Sequence, residues 1–177
     1  ECLPFYTFVT QSVTQVNKKK VDIIWVVDNS GSMSEEQTFL KNSFSYFINQ
    51  LVNLDLSFQM AVTSTDVCED VLPPLLEDRA CPIISGGYHH RGRFVGSSDS
   101  QILSNDTPDL IDLFKTYTAL GTKGSGFEHG LKASQLAIQK ILSGENDALL
   151  RDDAFLSIIV ISDEEDDGIG LSKKDAF

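Results

Sequence analysis

The sequence predicts an α/β domain built on a mostly parallel sheet, and three observations predict it. Residues 23–27 and 158–161 are short apolar runs without alternation, which suits central strands covered on both faces. Segments with apolar residues at helical spacing lie between them, so strands alternate with helices. Both runs lead into an aspartate, Asp28 and Asp163. In open α/β sheets ligands bind beyond the carboxyl ends of the strands, and a pair of carboxylates at that edge suggests a cation site.

The elements follow in order. Residues 1–20 mix polar and β-branched side chains, end in Lys18-Lys19-Lys20 and read as a lead-in segment; 21–177 form the domain. The first strand, VDIIWVV, precedes a helix whose Leu40, Phe44, Phe47, Ile48 and Leu51 make one apolar stripe. Ser34 and Gln37 fit a capping box at its start. Leu56, Phe58, Met60 and Val62 alternate with polar or small residues, predicting a strand over 56–64. Residues 65–105 form an insertion with one brief edge strand at Phe94-Val95. Thr107-Pro108 reads as an N-cap followed by a first-turn proline, opening a helix with Leu110, Leu113, Phe114 and Tyr117 on one face. After the glycine-rich turn 121–126, a further helix carries Phe127, Leu131, Ser134, Ile138 and Ile141, ending at Ser143-Gly144. The last strand covers 155–162 and runs into Asp163-Glu164-Glu165-Asp166-Asp167.

Length and composition set the outer bounds. The 177 residues suit one domain with a substantial core, and 41% hydrophobic with 23% charged residues is ordinary for a globular protein. The apolar runs are far too short to span a bilayer. A net charge of −12 repels phosphate backbones, which argues against nucleic acid and favours cations or basic surfaces.

Three cysteines are present, Cys2, Cys68 and Cys81. Cys68 and Cys81 bracket a proline-containing loop, and a disulfide between them would stabilise the chain by about 3 kcal/mol while implying an oxidising compartment. Cys2 has no obvious mate; preceded by Glu1, it does not stand where the lipid-bearing first residue of a bacterial lipoprotein would. The start at Glu1 reads as that of a processed or excised segment.

The chemistry concentrates after the first strand, in Asp28-Asn29-Ser30-Gly31-Ser32. A carboxylate and two hydroxyls at alternate positions in a turn can point to one side, with Gly31 letting the backbone bend. Oxygen donors suit a hard cation such as Mg²⁺, bound at about 2.0–2.1 Å. Neutral serine ligands leave the ion electrophilic and ready for an external carboxylate.

The stretch VDIIWVVDNSGSM resembles the first strand and D-x-S-x-S signature of von Willebrand factor A domains, whose cation site is the metal-ion-dependent adhesion site. The resemblance implies a Rossmann-like doubly wound, mostly parallel sheet with one antiparallel edge strand. It also implies a loop hydroxyl and an aspartate after a later central strand. FLSIIVISDEEDDG supplies the aspartate as Asp163; in LGTKGSGFEHGL the helix start aligns Ser125 with the family's threonine, with Thr122 as the fallback. The implied ligand set is therefore Asp28, Ser30, Ser32, Ser125 and Asp163 around Mg²⁺, with Mn²⁺ or Ca²⁺ as alternatives. Glu164 is a candidate supporting group. Family domains continue past this aspartate with a helix–strand–helix block, whereas the sequence stops at Phe177, so that portion is expected to be missing from this chain.

Other polar residues read more simply. The acidic run beyond Asp163 suits a solvated loop better than a second cation site. Glu128 suits a carboxylate placed against a helix dipole rather than a ligand. His89-His90, beside Arg91 and Arg93, belong to a polar loop, and His129 to a helix.

The resemblance implies a binding module: the ion accepts a carboxylate from a protein or other ligand, the insertion 65–105 confers specificity, and no catalysis is involved. A structural domain whose metal only orders loops is the alternative, with a Mg²⁺-dependent hydrolase behind it. The sequence has no G-x-x-x-x-G-K-[ST] and no G-x-S-x-G. The expected setting is extracytoplasmic: cell surface, outer envelope or secreted, and bacterial in the style of its motif.

Overall fold

The structure, a computed structural model, describes residues 19–67, 90–126 and 128–166. Its described elements are β1 (Lys20–Val27), α1 (Ser34–Asn53), β2 (Ser57–Ser64), β3 (Leu103–Ser104), α2 (Leu110–Tyr117), α3 (Gly130–Ser143) and β4 (Phe155–Ile161). They form an α/β domain on a four-stranded sheet ordered β3-β2-β1-β4. β1 pairs in parallel with β2 and β4, while β3 runs antiparallel along β2. A mostly parallel sheet with one antiparallel strand is thus present. Cys2, Cys68, Cys81, His89, Asp167 and most of the lead-in segment lie outside the described residues.

The alternating side chains of β1 feed two cores. Ile23, Trp25 and Val27 join Leu40, Phe44, Ile48 and Leu51 of α1, with Phe58, Met60, Val62, Leu103, Phe114 and Tyr117. Trp25 is its hub, with edge-to-face contacts to Phe47 at 5.2 Å and Phe114 at 5.1 Å between ring centroids. On the opposite face Ile24 and Val26 pack with Ala61, Val67, Phe94, Ala133, Ala137 and Leu149. β1 is the buried central strand that its unbroken apolar run predicts.

Several local expectations change. Ser34 makes no capping box: the N-cap of α1 is Met33, without a side-chain cap bond, and Gln37 turns inward instead. Thr107 does not cap α2, which starts at Leu110; its hydroxyl accepts from the Ser104 amide, closing the turn after β3. The edge strand lies at Leu103–Ser104 rather than at Phe94-Val95, where a single Val95 amide bond to Val62 holds the chain to β2.

The fully buried residues of α3 are Gly130, Ala133, Ser134 and Ala137, with Ile138 and Ile141 partly buried against the second core, while Leu131 is exposed and Phe127 lies outside the described residues. Small residues win this face because the backbones approach closely. A Cβ on Gly130 would meet Val160 at 2.7 Å, and one on Gly92 would meet the Ala137 amide nitrogen at 2.5 Å. The αL end of α3 at Gly144 is as expected.

β4 is not covered on both faces. Ile159 and Ile161 pack against the first core, but Leu156, Ile158 and Val160 remain partly exposed. Among the described residues its only strand neighbour is β1.

Candidate metal centre

β1 ends by delivering Asp28, fully buried, to the carboxyl edge of the sheet; its amide donates to the Ile161 carbonyl at the end of β4. The chain then folds back on the carboxylate. The Ser30 amide donates to Asp28 Oδ1 at 2.7 Å, and the Ser30 and Ser32 hydroxyls lie 3.2 Å apart. Ser30 is buried and Ser32 exposed, so the hydroxyl pair leads from the interior to the surface. The Ser30 and Ser32 side chains thus lie together. Gly31 is not what permits it: its φ is not in the left-handed region and a Cβ there would meet open space.

The loop 121–126 is fastened to this turn from two sides. The Gly124 amide donates to the Asn29 carbonyl at 2.8 Å, and Gly124 lies so close that a Cβ would fall 2.3 Å from Asn29 Oδ1. The Gln37 side-chain amide donates to the carbonyls of both Asp28 and Gly121, each at 2.8 Å. Ser125 is thereby buried near the edge of the sheet, its amide donating to Asp66 Oδ2 at 3.4 Å. Thr122 is half-buried in the same loop.

Glu128, which the sequence places against a helix dipole, is buried in a position that the sequence did not indicate. It is 1% exposed, although α3 begins only at Gly130, so it stands before the helix rather than in its first turn. The Thr65 hydroxyl, just past β2, reaches both Glu128 Oε2 at 3.3 Å and Asp28 Oδ1 at 3.5 Å. Burial, then the neighbouring charge of Asp28, pushes the Glu128 carboxyl up to about 8. A residue three places beyond Ser125 at a loop end carries no local signal of this. Only its burial beside Asp28 reveals it.

Just past β4, the Ser162 hydroxyl donates to the Asp28 carboxylate, reaching Oδ2 at 2.8 Å. Asp163 itself is exposed, as is Glu164, whose amide donates to the Ser162 hydroxyl. The acidic run is exposed over residues 163–166, and Asp166 accepts from the Leu131 amide in the first turn of α3 at 2.8 Å. His90 lies beside the buried Ser64 hydroxyl at 3.1 Å, and the Arg91 amide donates to the Asp66 carbonyl.

Among the described residues no three His, Cys, Asp or Glu side chains form a group that could hold a metal ion. The arrangement differs from such a cluster in mixing carboxylates with hydroxyls. Asp28, Glu128, Ser30, Ser32 and Thr65 supply only oxygen, the donor type of Mg²⁺, Mn²⁺ and Ca²⁺. Two buried carboxyls beside one another also favour a positive charge between them. On donor chemistry the residues fit a hard divalent cation.

Comparison with known proteins adds little. No protein-family model matches the chain, and no solved structure matches it. Two phosphoglucosamine mutases, from Methanococcus maripaludis strains S2 and C7, are each 28% identical to it over 110 residues. The match covers 62% of this chain but 24% of each mutase, so the chain spans about a quarter of the length of the curated relatives it matches.

Proposed function

We propose that the chain is a cation-dependent binding module of the von Willebrand factor A type and not an enzyme. In this reading Asp28, Ser30 and Ser32 hold Mg²⁺ or Mn²⁺, and a partner's carboxylate completes the coordination. Ser125 and Asp163 belong to the ligand set that the resemblance implies, and Glu128 joins it on the strength of its position. The observation that carries the reading is the pairing of buried Asp28 with buried Glu128 at the carboxyl end of the central strand, beside the Ser30–Ser32 hydroxyl pair. No helix among the described residues is long and apolar enough to cross a membrane. The proposed setting is extracytoplasmic, with a protein or other carboxylate-bearing ligand as partner.

The test is thermal. Adding Mg²⁺ or Mn²⁺ to the cation-free protein should raise Tm, and Asp28→Ala should abolish the rise. A flat response in the unmodified protein would count against the site. If Tm responds to cation but capture of partners from cells or matrix is indifferent to EDTA, the ion serves only to order loops.

The mutase match supports a second reading, an enzyme acting on phosphoglucosamine. Against it, the match covers only 24% of each mutase at 28% identity. Assay of phosphoglucosamine isomerisation with Mg²⁺ decides it: turnover above background would displace the binding-module reading.

A further inference from the structure

Gln37 lies on the buried stripe of α1 with Leu40, Phe44, Ile48 and Leu51, and is the polar member of that stripe. An amide in this position is costly to bury unless hydrogen-bonded, and an apolar side chain would fill the same space. Its side-chain nitrogen carries two hydrogens, and both are directed to carbonyls 2.8 Å away: that of Asp28, and that of Gly121, where the loop of Ser125 begins. The two acceptors lie 93 positions apart in sequence (121 less 28), on separate segments of the candidate site.

We propose that Gln37 is a positioning residue for cation binding: its planar NH₂ group locks the Asp28 turn and the Ser125–Glu128 loop at one separation, so a divalent cation meets a preformed set of oxygens. The inference rests on the cation-binding reading of the site. Its physical basis is the fixed angle between the two N–H bonds of a primary amide, which sets the relative position of two backbone segments where a single bond would leave them free to swing. The contact between Gly124 and Asn29 ties the same segments further along and leaves the end at Gly121 to Gln37. Groups that orient metal ligands without touching the ion commonly contribute about 10–100-fold in affinity.

The experiment compares the unmodified protein with Gln37→Leu, which suits the apolar stripe, and Gln37→Asn, which retains both donors on a shorter stem. Mg²⁺ affinity is measured by calorimetry, and Tm is recorded with and without Mg²⁺. The expected result for Gln37→Leu is a loss of at least tenfold in affinity and a smaller Mg²⁺-induced rise in Tm. A merely structural role would lower both melting temperatures equally and leave the affinity unchanged; that result overturns the proposal. Should Gln37→Leu not fold, Gln37→Asn is read by the same criterion, with tenfold weaker binding supporting it and unchanged binding overturning it. If the unmodified protein takes up no Mg²⁺ at all, the cation reading itself fails, and this inference with it.

Discussion

Asp28 and Glu128, exactly one hundred positions apart in the chain, meet across the Thr65 hydroxyl, which lies 3.5 Å from the first carboxylate and 3.3 Å from the second. A hydroxyl has one hydrogen to give, so it cannot satisfy both anions at once. The carboxyl that gives way is Glu128, which keeps its proton up to about 8 because it is buried and faces Asp28.

This makes cation-free stability pH-dependent. In the unfolded chain Glu128 would release its proton near the ordinary value of 4.5, whereas the folded chain holds it to about 8. Between these values the folded state binds the extra proton, so stability falls as pH rises through the window. Urea unfolding without metal should show that decline, and Glu128→Gln should flatten it. A cation competes with the same proton, so Mg²⁺ affinity should increase with pH toward about 8 in the unmodified protein. An affinity independent of pH there would remove Glu128 from the site.

Gly124→Ala should weaken the loop's attachment. Its new Cβ would fall 2.3–2.5 Å from the amide end of the Asn29 side chain, which is itself buried. Overpacking of this kind costs about 1–3 kcal/mol. Because the obstruction is a side-chain tip, Asn29→Ala in the same chain should relieve it. A double-mutant cycle read by denaturant unfolding should give a favourable coupling of about 0.5–3 kcal/mol. Additive losses would mean that the loop is held elsewhere.

At the opposite end of β1, Arg151 locks the sheet. Its Nε donates to Asp22 Oδ1 and its amide to Asp22 Oδ2, both at 2.7 Å, while the guanidinium also reaches the Val21 and Ser57 carbonyls. Asp22 is 1% exposed, so Arg151→Ala would leave a buried carboxylate with the backbone amide bond but no counter-charge, and should cost up to about 3–5 kcal/mol. Arg151→Lys should not rescue it, since an ammonium cannot reproduce the guanidinium fork. The Mg²⁺-induced rise in Tm should be unaffected where the variant still folds, which thermal melts with and without cation would check.

How much of this was legible in the sequence depends on the range of the interaction. The unbroken apolar run of β1 announced a central strand, and the stripe of Leu40, Phe44, Ile48 and Leu51 announced the buried face of α1. On α3 the same logic held for Ser134, Ile138 and Ile141 but not for Leu131, and it passed over the small residues Gly130, Ala133 and Ala137 that make the closest approach to the sheet. It misread Gln37 too, because a capping box and an inward clamp use the same residue. Which partner it takes depends on a carbonyl 84 positions away.

By itself, the sequence determined most of the local elements: hydrophobic period marks strands and helices, and alternate positions place Ser30 and Ser32 in the turn after Asp28. Only the tertiary structure decided which distant groups share that space. Thr65, Ser162 and Glu128 reach Asp28 because parallel pairing of β1 with β2 and β4 brings three strand ends to one edge, and the loop before α3 folds over them. Burial at that edge beside Asp28, and not residue type, turns Glu128 from an ordinary carboxylate into one that holds its proton up to about 8.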